Sequence, residues 1–220
     1  MRKLISCLAF FVFCGSCFAQ ESFSFNELQF KGPFAMRPGD GNLYCLLGNG
    51  VILTIRSDDE AALVADWRTR HPNAKAVPVG ITGENTRMRI VYVWAVDGDD
   101  NLNLHLIEKG VYPASVMLDA VQFDRLLKTT GPSPQQKSIE AGYAYAQKTL
   151  HAKPRAEMPP RRLVEDARYQ DFLKALVASE KTAQAQKNGI WSDKYKDLRE
   201  TEGTTPLNAL PPALLGMKGN

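Results

Sequence analysis

The amino-acid sequence predicts an α+β fold, and three stretches carry that prediction. The run Arg89–Val111, RIVYVWAVDGDDNLNLHLIEKGV, packs a strand, a tight turn and a capped helix into one continuous segment. Leu43 to Ile55 has the β-rich pattern of a strand pair, with Gly48-Asn49-Gly50 between its halves. Near the C-terminus, Tyr169, Phe172, Leu173, Leu176 and Val177 recur at i, i+3, i+4, i+7 and i+8, the stripe of a helix that buries one face.

In chain order, residues 20–41 are rich in Phe, Gly and Pro, and the alternation Ser22-Phe23-Ser24-Phe25 suits an edge strand or an ordered lead-in. The Leu43–Ile55 hairpin follows. Ser57-Asp58-Asp59-Glu60 reads as an N-capped helix start with acids favoured by the helix dipole; the helix continues through Arg70 and ends at His71-Pro72-Asn73. Ala76–Ile81 is a short strand in which Pro78 argues for an edge or irregular position.

After the polar turn Gly83-Glu84-Asn85, Ile90 to Val96 is dense in β-branched and aromatic residues, and Asp97-Gly98 supplies a turn. Leu102, Leu106 and Ile107 sit at helical spacing, Asn103 is placed to cap the first free amides, and Gly110 is a natural stop. Gln135 to Leu150 is a helical stretch bounded by Pro-rich segments. The tail from Gly203, with Pro206, Pro211 and Pro212, is expected to be poorly ordered.

Two of these segments resemble the staphylococcal (micrococcal) nuclease, or thermonuclease, family. The Arg89–Val111 run is similar to that family's last barrel strand, DG turn and following helix; YQDFLKALVASEKTAQAQKNGIWS, Tyr169–Ser192, is similar to its long last helix and closing G-[LI]-W-S. The matches cover about a quarter of the chain, in family order. The resemblance implies a small OB-fold-like β-barrel with packed helices, here spanning 42–197 and opened by the Leu43–Ile55 hairpin. A helical insertion falls at about 112–166, after a lead-in at 20–41 and before a tail at 198–220. Trp191 would plug the end of the last helix.

The N-terminus reads as a secretory signal: Arg2 and Lys3, an apolar stretch from Leu4 to Phe13, then small residues to a cleavage point after Ala19. The mature chain is then expected to be exported, periplasmic or secreted, and soluble, since no segment approaches the roughly 20 apolar residues needed to span a bilayer. Lipidation at Cys17 is the alternative. Cleavage would remove three of the four cysteines and leave Cys45 alone, read as a small buried apolar residue. It would also lower the net charge from +3 to +1 by removing Arg2 and Lys3. The remaining charge is uneven, about −4 over 21–121 and about +6 over 122–196, and the basic C-terminal half suits either phosphates or the solvated faces of two helices, the second being the commoner case.

The resemblance also implies phosphodiester hydrolysis, with calcium held by carboxylates, a glutamate acting on water, and two arginines stabilising the phosphate. The family's R-L-x-G-[IV]-D-x-P-E segment does not occur in this chain. Asp97-Gly98-Asp99-Asp100 looks like a metal-binding DGD but aligns with the structural turn. The residues that could serve are Arg87, Arg56 and Glu60 as catalytic groups, Arg89 as a binding group, and Asp58 and Asp59 as calcium ligands. His71, His105 and His151 lack metal-ligand spacing, and His105 is expected on the surface of its helix. Two functions follow: a non-catalytic or degenerate barrel that binds a nucleic acid or a protein partner, or a calcium-dependent nuclease with a rearranged site.

Overall fold

The computed structural model describes residues 21–32, 34–48, 55–82, 89–117 and 161–202. The signal segment with Cys17, hairpin residues 51–54, Arg87, the polar turn at 83–85, the helix expected at 135–150 and the tail from Gly203 lie outside those residues. Within them the chain is a mixed α+β structure: one strongly curled, open eight-stranded sheet with four helices.

The strands begin where the sequence allowed an edge strand or an ordered lead-in. The stretch read as a lead-in contributes β1 (Phe23–Ser24), β2 (Gln29–Lys31) and β3 (Phe34–Met36), and β1 and β2 are joined by a 3-10 turn at Phe25–Glu27. A reciprocal cap fixes that turn: the Ser24 hydroxyl accepts from Asn26 N at 3.3 Å, and Ser24 N donates to the Glu27 carboxylate at 3.3 Å. Phe25 and Leu28 are buried here and join the core.

β4 (Leu43–Leu46), β5 (Lys75–Thr82) and β6 (Ile90–Asp97) complete the main path, whose hydrogen-bonded order is β1-β5-β6-β4-β3-β2. The β4–β6 pair is parallel, from Leu43↔Ile90 to Leu46↔Val93, and the other pairs are antiparallel. The two ends of this path, β1 and β2, belong to the single stretch Phe23–Lys31. The curl of the sheet follows from that covalent link. β4 is flanked by β3 and β6, so it does not open the sheet as the Leu43–Ile55 hairpin was expected to.

Helix α1 (Glu60–Arg70) secures the turn between the path's ends. Arg68 donates to the carbonyls of Phe25 and Leu28, and its guanidinium lies over the Phe25 and Phe30 rings at 4.8 and 5.1 Å. Burial lowers the Arg68 pKa, so the carbonyls and ring faces must hold a partly desolvated charge. Pro78 sits at the irregularity the sequence announced: the β5–β6 register shifts between Pro78 and Gly80.

After Asp97 the chain turns through Gly98, at φ 59°, into β7 (Asp100–Asn101) and helix α2 (Leu102–Glu108). The cap is Asn101, whose side chain accepts from Leu104 N at 3.2 Å; the expected cap, Asn103, is fully buried. Asn103 instead receives Ala95 N at 2.8 Å and donates to Leu47 O at 2.7 Å and Val93 O at 2.9 Å. It therefore ties the helix to the residue after β4 and to the middle of β6. At the helix end, Gly110 N bonds to Ile107 O and Val111 N to Leu106 O, the paired bonds of a Schellman stop with Gly110 at φ 66°.

Residues 111–117 are buried throughout without forming a helix or strand. Their backbone groups find partners elsewhere: Ser57 N reaches Val111 O at 2.7 Å, Ala114 N reaches the Glu180 carboxylate at 2.9 Å, and Ser115 N reaches Gly48 O at 2.9 Å. β8 (Arg161–Arg162) pairs with β5, and helix α3 (Asp166–Ala185) follows. α3 buries Tyr169, Phe172, Leu173 and Leu176 as the stripe requires, with Val177 packed at its margin. α4 (Lys196–Glu202) carries regular structure into the stretch expected as tail.

Candidate functional site

Glu60 opens α1, and Arg56 lies four residues before it in the segment that leads into the helix. Arg56 Nε donates to Glu60 Oε2 at 2.7 Å, and Nη2 bonds to Oε1, which makes the contact a two-toothed fork. The pair is partly sheltered, at 19% and 21% side-chain exposure, and Arg56 lies 4.5 Å above the centre of the Tyr112 ring. Tyr112 is itself fully buried, and its hydroxyl has no hydrogen-bond partner among the described residues. Burial, the largest cause, drives its pKa up; the Arg56 charge opposes the shift, and Glu60 adds to it.

The acids beside Glu60 turn elsewhere. Asp58 Oδ2 receives Lys194 Nζ at 3.1 Å and the Tyr195 hydroxyl at 3.2 Å, which joins the N-terminus of α1 to the 3-10 turn at Asp193–Tyr195. The Lys194 hydrogen bond, ahead of that from Tyr195, lowers the Asp58 pKa, and Asp58 raises that of Lys194. Asp59 is joined to Ser57, whose hydroxyl donates to Asp59 Oδ2 at 3.2 Å.

Arg89 stands at the start of β6, where its carbonyl accepts from Leu43 N at 2.9 Å. Its Nε is enclosed without a hydrogen-bond partner among the described residues. No hydrogen bond or ion pair links it to Asp58, Asp59 or Glu60 among those residues. Of the expected site residues, the fold thus joins Arg56 with Glu60 and leaves the calcium candidates and Arg89 in separate contacts. Among the described residues, no group of three or more His, Cys, Asp or Glu could hold a metal.

The Asp97–Asp100 acids form a hairpin turn. Asp97 pairs with Asp100 across it, and the Asp97 carboxylate meets His71 Nδ1 at 3.3 Å while His71 stacks on Trp67 at 4.3 Å. His105, expected on the surface, is half-buried; burial, the largest cause, lowers its pKa, and Lys109 and Arg70 add to the shift. Cys45 is buried as the sequence implied, and its thiol pKa is pushed up to about 12 by desolvation. No described helix is long and apolar enough to cross a membrane.

Sequence reasoning missed Tyr112, Lys194 and Tyr195. Only Tyr112, an aromatic just past a helix stop, carried a signal: a large ring there must pack under the sheet or under a neighbouring side chain. The contacts of Lys194 and Tyr195 with Asp58 cross 136 and 137 residues, beyond any local pattern.

No protein-family model, curated protein or solved structure matches the chain.

Proposed function

We propose that this chain is an exported binding module on an OB-type barrel, akin to the staphylococcal nuclease fold, that holds a single-stranded nucleic acid without cutting it. Support for the barrel comes from a sheet path whose ends share the stretch Phe23–Lys31, from the parallel β4–β6 pair, and from α1 falling between β4 and β5. Support for export comes from Arg2-Lys3 and the apolar stretch behind them.

One observation carries the non-cutting part. Both Glu60 oxygens are engaged by Arg56, Asp58 by Lys194 and Tyr195, and Asp59 by Ser57, so the three acids face three different partners instead of one shared ion. For the ligand, the basic half of the chain includes the exposed Arg161 on β8 and Arg168 on α3, which lies 4.9 Å over the buried Trp94 ring, while Arg162 is paired with Asp166. Exposed arginines on neighbouring elements suit a phosphate backbone.

The test is incubation of the purified protein with single-stranded DNA and RNA, with calcium and with chelator, followed by binding and integrity assays. Binding that weakens with salt, on uncut strands, is expected, and Arg161→Ala should reduce the salt slope by about 1. Chelator-sensitive cleavage would overturn the reading in favour of a calcium-dependent phosphodiesterase. That second reading is favoured by Arg89, whose enclosed Nε has no acceptor among the described residues.

A further inference from the structure

The Arg56–Glu60 fork has the geometry of a ligand contact made inside one chain. A guanidinium presenting Nε and one Nη to two oxygens is how arginine grips either a carboxylate or a phosphate. The grip is braced from below by the Tyr112 ring. The hydroxyl of that ring is fully buried and has no hydrogen-bond partner among the described residues. Such an orphaned donor calls for an acceptor. The Glu60 carboxylate has two oxygens, both spent on Arg56, whereas a tetrahedral phosphate has further oxygens to offer.

We propose that Glu60 is a built-in occupant of an oxyanion site made by Arg56 over Tyr112, and that removing its carboxylate admits a phosphate-class oxyanion. The inference rests on the reading that the chain handles phosphate groups. Glu60 then acts as a latch: it keeps Arg56 from phosphates while the pair is closed.

The experiment titrates inorganic phosphate, at ionic strength held constant with chloride, into the full protein and its variants by calorimetry. Glu60→Gln should bind phosphate at least about tenfold more tightly than the unaltered protein, and Glu60→Ala should do the same. Adding Arg56→Lys should remove the gain, and adding Tyr112→Phe should reduce it. Equal affinity with and without the Glu60 carboxylate, or a gain that survives Arg56→Lys, would overturn the proposal. Unfolding of both Glu60 variants would overturn it too, because a latch must open without loss of the fold.

Oligonucleotide binding by the unaltered protein separates this proposal from the reading beneath it. Intact strand binding with no phosphate gain sinks the latch alone. A phosphate gain without strand binding sinks the binding module alone.

Discussion

Gly189 is pressed against Gly110: a Cβ built on Gly189 would lie 2.1 Å from the Gly110 carbonyl oxygen, and Ile190 N donates to that same oxygen at 2.7 Å. Both glycines have positive φ, 50° and 66°, so each is required by backbone conformation as well as by space. Here the end of α2 meets the turn that follows α3. Asn188 adds a clasp, its Nδ2 donating to Glu108 O at 2.9 Å.

Gly189→Ala should therefore destabilise the protein by about 3 kcal/mol or more, since backbone and not a flexible side chain blocks the new methyl. Urea unfolding gives the measure. A loss below about 1 kcal/mol would mean that the two turns do not touch.

Asn103→Ala should cost about 3 kcal/mol, because it removes three buried hydrogen bonds and leaves Ala95 N and Leu47 O to find other partners. Asn103→Asp should be worse at neutral pH, since it exchanges the two donated bonds for a buried charge facing carbonyl oxygens. Denaturant midpoints for the two variants would decide the order.

Lys187 occupies the left-handed region at φ 53°, as the residue after α3 whose N–H bonds to Gln184 O while Asn188 N bonds to Ala183 O. Lys187→Gly should stabilise the fold by about 0.5–1 kcal/mol by relieving that conformation. The lost ion pair to Asp193 is exposed and offsets little of the gain. Thermal unfolding should register a higher midpoint.

The Asp58–Lys194 contact makes a signed pH prediction. Asp58 is shifted down, so its contribution is present above the ordinary carboxylate pKa and is lost as pH falls through the lowered value; Lys194 is shifted up, so its share is present below the ordinary lysine pKa and is lost as pH rises through the raised one. Asp58→Asn should return the Lys194 titration toward its usual range. Side-chain NMR of Lys194 in both proteins checks this, and an unmoved titration would sink the assignment.

Periodicity made the elements legible wherever one face is buried along a continuous run. The α3 stripe, the β6 run and the Gly110 stop could be read because each rule acts within a few residues. The first three strands are two or three residues long, too short for any pattern to establish itself, and they are strands because partners elsewhere in the chain pair with them. Asn103 and Asn101 are both sensible caps locally, and only the position of Leu47, 56 residues away, decides which one faces inward. The candidate site behaves the same way. Arg56 and Glu60 pair at helical spacing, which sequence order reveals, while Tyr112 under them and Lys194 beside Asp58 are brought in by the tertiary fold.

The division of one stretch between both ends of the sheet path has a kinetic consequence. Phe23–Ser24 must find Lys75–Ala76, some fifty residues downstream, while Gln29–Lys31 pairs with its immediate neighbour. The earlier of these two partners must wait for the later one, and loop-closure entropy resists that step until β5 exists. Folding of this chain should run from the middle outward, with its N-terminal turn as the closing move.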